Sequence, residues 1–183
     1  MLRAPEYAQL QKLVEESGAR LLAPLEMYTR THHLPEWYAL LEEFTPRTRF
    51  FEDAQAAVSA LEVESGPFFV KDWVKSLSSA RGSIAANAAE ISEIANELGN
   101  YRGSLEGGLC VREVETFDTA TEDRFFVVAG EVFARSGIIR EIVQIAASRI
   151  SSEFFTIDAV RRSDGVWRIV ELGDGQVSDL KDW

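Results

Sequence analysis

Two acidic residues near the end of the chain have the types and spacing to hold a divalent cation. In FFTIDAVRRSDGVWRIVELGDGQ (154–176), two apolar, β-branched runs flank Asp164-Gly165, a dipeptide suited to a two-residue hairpin turn. With those two residues as the turn, Ser163 faces Val166 and Asp158 faces Glu171. Strand side chains alternate, so both acids emerge on one face, while Phe155, Ile157, Ala159, Val170 and Leu172 make the other, a core face. Like charges directly across a strand pair repel. A hard cation such as Mg²⁺ between them, completed by phosphate oxygens, reverses that repulsion. A third acid, Asp174, follows in ELGDGQ. The same face also reads as the solvated side of a hairpin, where acids are ordinary. Its other members, Thr156, Val160 and Ile169, are not typical of a freely solvated face. A loop one residue longer would put the two acids on opposite faces.

Cations precede the acids in a definite order. Lys71 lies inside the apolar run FFVKDWV, and alternation groups it with Phe69 and Trp73. A lysine there either snorkels to an edge or points at an anion. Lys75 follows, then KSLSSARGS, a loop whose small residues leave backbone N–H groups open to phosphate oxygens. The loop is not of the G-x-x-x-x-G-K-[ST] type. Arg112 and Arg124 sit in strand-like runs beside Glu113 and Glu122, so each reads as a structural ion pair or as a ligand-binding cation. His32 and His33, the only histidines, are adjacent and read as loop or helix-start residues rather than a metal site.

These residues must be positioned by a mixture of helices and strands. Residues 6–17 have helical spacing (Tyr7, Leu10, Leu13, Val14), and ARLLAPLEMY reads as a short strand and loop. HHLPEWYALLEEF is a helix with Pro35 in its first turn, and Ala54, Ala57, Val58 and Leu61 mark another, stopped at Ser65-Gly66-Pro67. PFFVKDWV is a strand. Ile84, Ala88, Ile91, Ala95 and Leu98 stripe a helix closed by Gly99, and LCVREVET is a strand. RFFVVAGEVFAR turns near Ala129-Gly130, and a helix over 138–150 leads into the carboxylate hairpin. Paired strands with helices between them predict an α+β fold with a mainly antiparallel sheet.

Composition narrows the function. The 183 residues are 46% hydrophobic and 27% charged, enough for a real core. No apolar run reaches a membrane span, and MLRAPEYAQLQ lacks a signal-peptide core. The single Cys110 suits a reducing cytosol, so the expected location is cytoplasmic. A net charge of −11 argues against nucleic acid and membrane surfaces as partners, while a nucleotide needs only a few local cations.

The ordered set FFVKDWVKS, VREVE, EDRFFVVAGEVF and FFTIDAVRRSDGVWRIVELGDGQVSDL resembles the ATP-grasp superfamily. More narrowly, it is similar to the clade of ATP-grasp domains named for two arginines and a lysine, whose counterparts here are Arg112, Arg124 and Lys71. HHLPEWY and Thr45-Pro46 share that likeness. The resemblance implies an ATP-grasp-like α+β domain over 65–183, preceded over 1–64 by part of an N-terminal helical and α/β segment. It further implies ATP and Mg²⁺ as cofactors, and a ligase joining a small-molecule or peptide carboxylate to an amine through an acylphosphate. A nucleotide-binding module without turnover is the alternative. Asp158 and Glu171 would hold Mg²⁺. Lys71 and Arg124 would contact phosphate, with Arg112 as a further catalytic cation and Lys75 as an additional nucleotide contact. The backbone of Glu113 and Val114 would read the adenine. Where such domains carry an E-x-N turn, this chain has Glu171-Leu172-Gly173, so the third ligand's role passes to Asp174 or is lost.

Overall fold

The computed structural model describes residues 2–77, 81–176 and 178. In chain order the elements are α1 (Ala4–Glu16), α2 (Leu25–His32), α3 (Leu34–Leu41), β1 (Thr48–Phe51), α4 (Ala54–Leu61), β2 (Phe68–Asp72), β3 (Ile84–Ala85), α5 (Ala89–Arg102), β4 (Leu109–Glu113), β5 (Phe117–Val128), β6 (Glu131–Ala134), α6 (Glu141–Arg149), β7 (Phe154–Arg162) and β8 (Trp167–Asp174). The α+β class holds, with the strands divided between two four-stranded sheets, ordered β1-β4-β2-β3 and β6-β5-β7-β8. Every strand pairing in them is antiparallel.

The chain packs as two compact units, Pro46–Glu115 and the joined segments Met1–Thr45 with Thr116–Trp183. The boundary expected at 64/65 falls inside the first of these. In the 46–115 unit, strand alternation sends Phe68, Val70, Leu109 and Val111 to one face. There they join Ala57 and Leu61 of α4 and Ile91, Ile94, Ala95 and Leu98 of α5 in a buried cluster. The opposite face carries Thr48, Phe50, Phe69, Lys71, Cys110 and Arg112, as the strand registers require. In the discontinuous unit, Phe125, Val127, Phe155, Ile157, Ala159, Ile169 and Leu172 are buried. Helices α2 and α6 both lie against β8.

Three expectations need correction. The stretch after Pro24, expected as strand and loop, is α2, with Pro24 as its N-cap residue and Tyr28, Thr31 and His32 buried on one side. Its polar residues hid a helical spacing. The TRFF of β1 was not anticipated, because four residues show no period and only pairing with β4 makes them a strand. Ile84 opens no helix. It faces Phe69 in β3, and α5 starts at Ala89, runs through Gly99 and ends at Gly103 in the left-handed region (φ 80°).

The β7–β8 hairpin departs from the expected turn. Gly165 N–H donates to Arg162 O at 2.8 Å and Arg162 N–H donates to Val166 O at 2.7 Å, so the loop is Ser163-Asp164-Gly165, with Gly165 at φ 93°. The longer loop shifts the first rungs by one residue, to Arg161↔Trp167, Val160↔Arg168 and Ala159↔Ile169. A bulge then leaves Val170 over, and the next rung is Asp158↔Glu171. Ile169 therefore lies on the core face with Ala159, not on the acidic face, and Val170 is the bulged residue rather than a core partner.

Candidate functional site

In the discontinuous unit, β5, β7 and β8 bring three ionisable residues into one row. Arg124 faces Asp158 across β5–β7, and Asp158 faces Glu171 across β7–β8. Residues directly opposite in neighbouring strands share a face, so guanidinium and both carboxyl groups emerge together. Arg124 forms an ion pair with Asp158. Arg124 Nε donates to Asp158 Oδ1 at 2.7 Å, and Nη2 donates to Oδ2 at 2.6 Å. This two-pronged geometry is the strong form of a charge-assisted pair. Asp158 is 5% exposed, so the face is not the open, solvated side of a hairpin.

Asp174 does not join that row. The strand continues through Gly173 without turning away, and Asp174 pairs with Phe155, on the core face. It is fully buried, and its Oδ1 accepts from Gln176 N at 2.9 Å and Gln176 Nε2 at 3.3 Å. Gln176 Nε2 also donates to Tyr7 Oη at 3.0 Å, and Tyr7 Oη donates to Ala23 O at 2.6 Å. Burial, with the charge of Asp174 behind it, pushes the Tyr7 hydroxyl pKa up against the opposing pull of the Gln176 hydrogen bond. Tyr7 stacks on Tyr28 at 3.8 Å between ring centroids, and Tyr28 meets the tilted His32 ring at 4.3 Å. Asp174 thus belongs to a structural network that includes α1 and α2. His32 ends α2 and His33 precedes α3, both buried.

In the 46–115 unit, Lys71 faces Cys110 and Arg112 faces Phe69, which sets both cations on the face away from α4 and α5. Each is 5% exposed. Burial pushes the thiol of Cys110 up to about 12, although Lys71 and Arg112 both pull it down. Both cations act on this one buried sulfur, with the charge of Asp72 opposing them.

Asp72, next in sequence to Lys71, is a residue that sequence reasoning passed over. Fully buried, it ends β2 by accepting from Val74 N at 2.7 Å and Lys75 N at 2.6 Å through Oδ1, and from Glu106 N at 3.3 Å through Oδ2. It fixes the turn between Lys71 and Lys75, and the available signal was a carboxylate following a lysine in an apolar strand. Lys75 is exposed just beyond. Of the KSLSSARGS loop, residues 78–80 lie outside the described residues. Ser83 closes its base, with Oγ accepting from Leu77 N at 2.7 Å. Glu113 ends β4, and its N–H donates to Arg47 O at 2.9 Å, while Val114 lies one residue beyond the strand.

The acidic row suits a hard divalent cation by its donor set, two carboxylates side by side. At Gly173, two rungs from Glu171, an added Cβ would lie 2.9 Å from Thr156 Oγ1 and 3.0 Å from Ser178 Oγ. Further oxygens therefore line the same face where the sequence offers no side chain.

Residues 49–183 match the sequence model of an ATP-grasp domain family, the third family of the clade named for two arginines and a lysine. Among curated proteins there is no sequence match. Solved structures share the fold. The ATP-grasp ligase PsnB, complexed with minimal precursor, Mg and ADP, is 18% identical with a TM-score of 0.58, over 96% of this chain and 60% of that one. A RimK domain protein ATP-grasp from Sphaerobacter thermophilus DSM 20745 is 14% identical with a TM-score of 0.64, over 97% and 71% of the two chains. The L-amino acid ligase from Bacillus licheniformis is 14% identical with a TM-score of 0.63, over 94% and 47%. The chain thus spans less than two thirds of PsnB and about half of the amino acid ligase.

Proposed function

The chain belongs to the third family of ATP-grasp domains in the two-arginine, one-lysine clade, and on that premise we propose that it is an ATP-dependent carboxylate–amine ligase using Mg²⁺. The observation that carries this reading is the row Arg124–Asp158–Glu171 on one face of β5, β7 and β8. The reaction has two steps. A substrate carboxylate oxygen attacks the γ-phosphorus of ATP, forming an acylphosphate and releasing ADP. An amine then attacks the acyl carbon, and inorganic phosphate leaves as the amide forms.

No side chain need become covalently linked, so the protein's work is alignment and charge neutralisation. Asp158 and Glu171 would hold Mg²⁺, which would supply charge neutralisation for the nucleotide phosphates. Lys71 and Arg112 present positive charge from a buried face, where an anion is held more strongly than at a wet surface. Arg124, held by Asp158, is the third cation for phosphate or the acyl intermediate, and Lys75 at the end of its turn is a further contact. The N–H of Glu113 is spent on Arg47, so base reading falls to Val114 and the Glu113 carbonyl. Asp174 has no part in this assignment, since it faces the core. A peptide or small-molecule carboxylate and an amine are the substrates. No helix among the described residues is long and apolar enough to cross a membrane, and a buried free thiol suits the reducing, ATP-rich cytosol.

Calorimetry of Mg-ATP against wild type, Asp158→Asn and Lys71→Ala tests the reading. Wild type should bind, Asp158→Asn should lose the Mg²⁺ dependence, and Lys71→Ala should bind at least about 10-fold more weakly, in keeping with loss of a charged contact. Release of ADP stimulated by an amino acid or peptide identifies the ligase. Absence of any binding by wild type would sink the proposal.

A further inference from the structure

Two rungs from the acidic pair, Thr156 faces Gly173. Residues two apart on a strand share a face, about 7 Å along it, so Thr156 lies on the same face as Asp158. Thr156 is 2% exposed. Its Oγ1 lies 2.9 Å from Ser178 Oγ and 3.4 Å from Gly173 O, and Ser178 Oγ donates to Asp174 O at 2.8 Å. Each hydroxyl has one proton and two lone pairs. Ser178 spends its proton on the Asp174 carbonyl, so Thr156 is the donor between the two hydroxyls. Both protons are committed within the protein. What the pair has left to offer is lone pairs.

The pair occupies space that only glycine at 173 leaves open, given the 2.9 and 3.0 Å approaches to an added Cβ. An oxygen pair presenting lone pairs is poorly suited to phosphate, which also accepts. It is suited to a hydrogen-bond donor, and water on a divalent cation is a strong one. The row spacing sets the hydroxyls too far along the strands to share an inner oxygen shell with both carboxylates, since Mg²⁺–oxygen contacts are about 2.1 Å.

We propose that Thr156 and Ser178 are positioning residues that accept hydrogen bonds from the water carried by Mg²⁺ at Asp158 and Glu171, the arm of the site that Gly173 cannot supply. The inference rests on the Mg²⁺ reading of those two acids. It deepens that reading by predicting selectivity. Mg²⁺ sheds water reluctantly and demands regular geometry, whereas Ca²⁺ accepts looser shells. Seats for water on the protein therefore favour Mg²⁺.

The test is calorimetry of ADP binding at graded Mg²⁺ or Ca²⁺, using wild type, Thr156→Val, Ser178→Ala, the double variant, Thr156→Ser and Asp158→Asn. The double variant should need about 10-fold more Mg²⁺, the usual cost of removing support around a metal ligand. Its Ca²⁺ requirement should change little, and Thr156→Ser should restore the wild-type Mg²⁺ requirement. Ser178→Ala, at a half-buried position, gives the same sign should Thr156→Val fold poorly. An equal loss for Mg²⁺ and Ca²⁺ would assign the hydroxyls to packing and overturn the inference. An unchanged double variant beside a defective Asp158→Asn would overturn it while leaving the Mg²⁺ reading intact. An Asp158→Asn protein with wild-type metal dependence would remove both.

Discussion

Asp158 and Glu171 face each other although the turn joining their strands is one residue longer than the two-residue kind. The extra loop residue and the extra strand residue Val170 cancel, so the register at the acids is the one a shorter turn and a regular ladder would give. Deleting Val170 should therefore regularise the ladder and leave the two acids opposite each other. Mg²⁺-dependent nucleotide binding should survive the deletion. Inserting one alanine beside Val170 should send Glu171 to the core face and abolish it, and calorimetry distinguishes the two outcomes.

The Arg124–Asp158 pair is largely buried, at 16% and 7% side-chain exposure. Removing one partner of such a pair strands a charge. Arg124→Ala should lose about 3 kcal/mol of stability in urea unfolding without metal. Added Mg²⁺ should narrow that deficit, because the Asp158 carboxylate released from Arg124 binds the ion more tightly and so gains more stability from it than wild type does. An identical deficit with and without Mg²⁺ would separate Asp158 from any cation site.

Cys110 gives a pH signature. Its folded-state value near 12 exceeds the ordinary 9.0, so above pH 9 the unfolded chain releases a proton that the folded chain keeps. The stabilising contribution is complete below pH 9 and declines as pH rises towards 12. Cys110→Ala should flatten that part of the stability profile, and native thiol alkylation at pH 8 should be far slower than in denaturant.

At the hairpin tip, the Arg162 guanidinium and the Val166 N–H hold exposed Asp164 down at about 2, below the ordinary 3.8. Its support for the turn is present above the ordinary value and lost as pH falls through about 2. Carboxyl NMR should show this titration returning towards 3.8 in Arg162→Ala.

Gly175 lies against a ring rather than a flexible side chain. A Cβ there would approach Phe154 carbons to between 2.4 and 2.6 Å. Gly175→Ala should cost about 1–3 kcal/mol through forced repacking, read as a lowered urea midpoint with unchanged slope.

Much of this organisation was legible from local pattern. The apolar spacing of α1, α3 and α4 and the turn at Ala129-Gly130, both residues in the left-handed region, announced themselves. So did the facing of Asp158 and Glu171, though by two compensating departures. What stayed hidden depended on distant partners. β1 exists because β4 pairs with it, and Arg124 meets Asp158, 34 residues away. Asp174 looked like a ligand because glycines around it suggested a turn, whereas β8 runs on and alternation carries the side chain to the other face. The hydroxyls over Gly173 come from positions 156 and 178, which no motif links.

The 46–115 unit leaves and rejoins the rest of the chain through strands that are paired with one another. Thr48 faces Arg112 across β1 and β4, and Glu113 N–H reaches Arg47 O at 2.9 Å. A segment whose two ends are neighbours behaves as a cassette. It can be excised and bridged by a short splice, or grafted from a relative, without asking the flanking residues to move apart. The cationic strand face, with Lys71 and Arg112, can thereby be exchanged between relatives as one piece while the acidic hairpin keeps its own register.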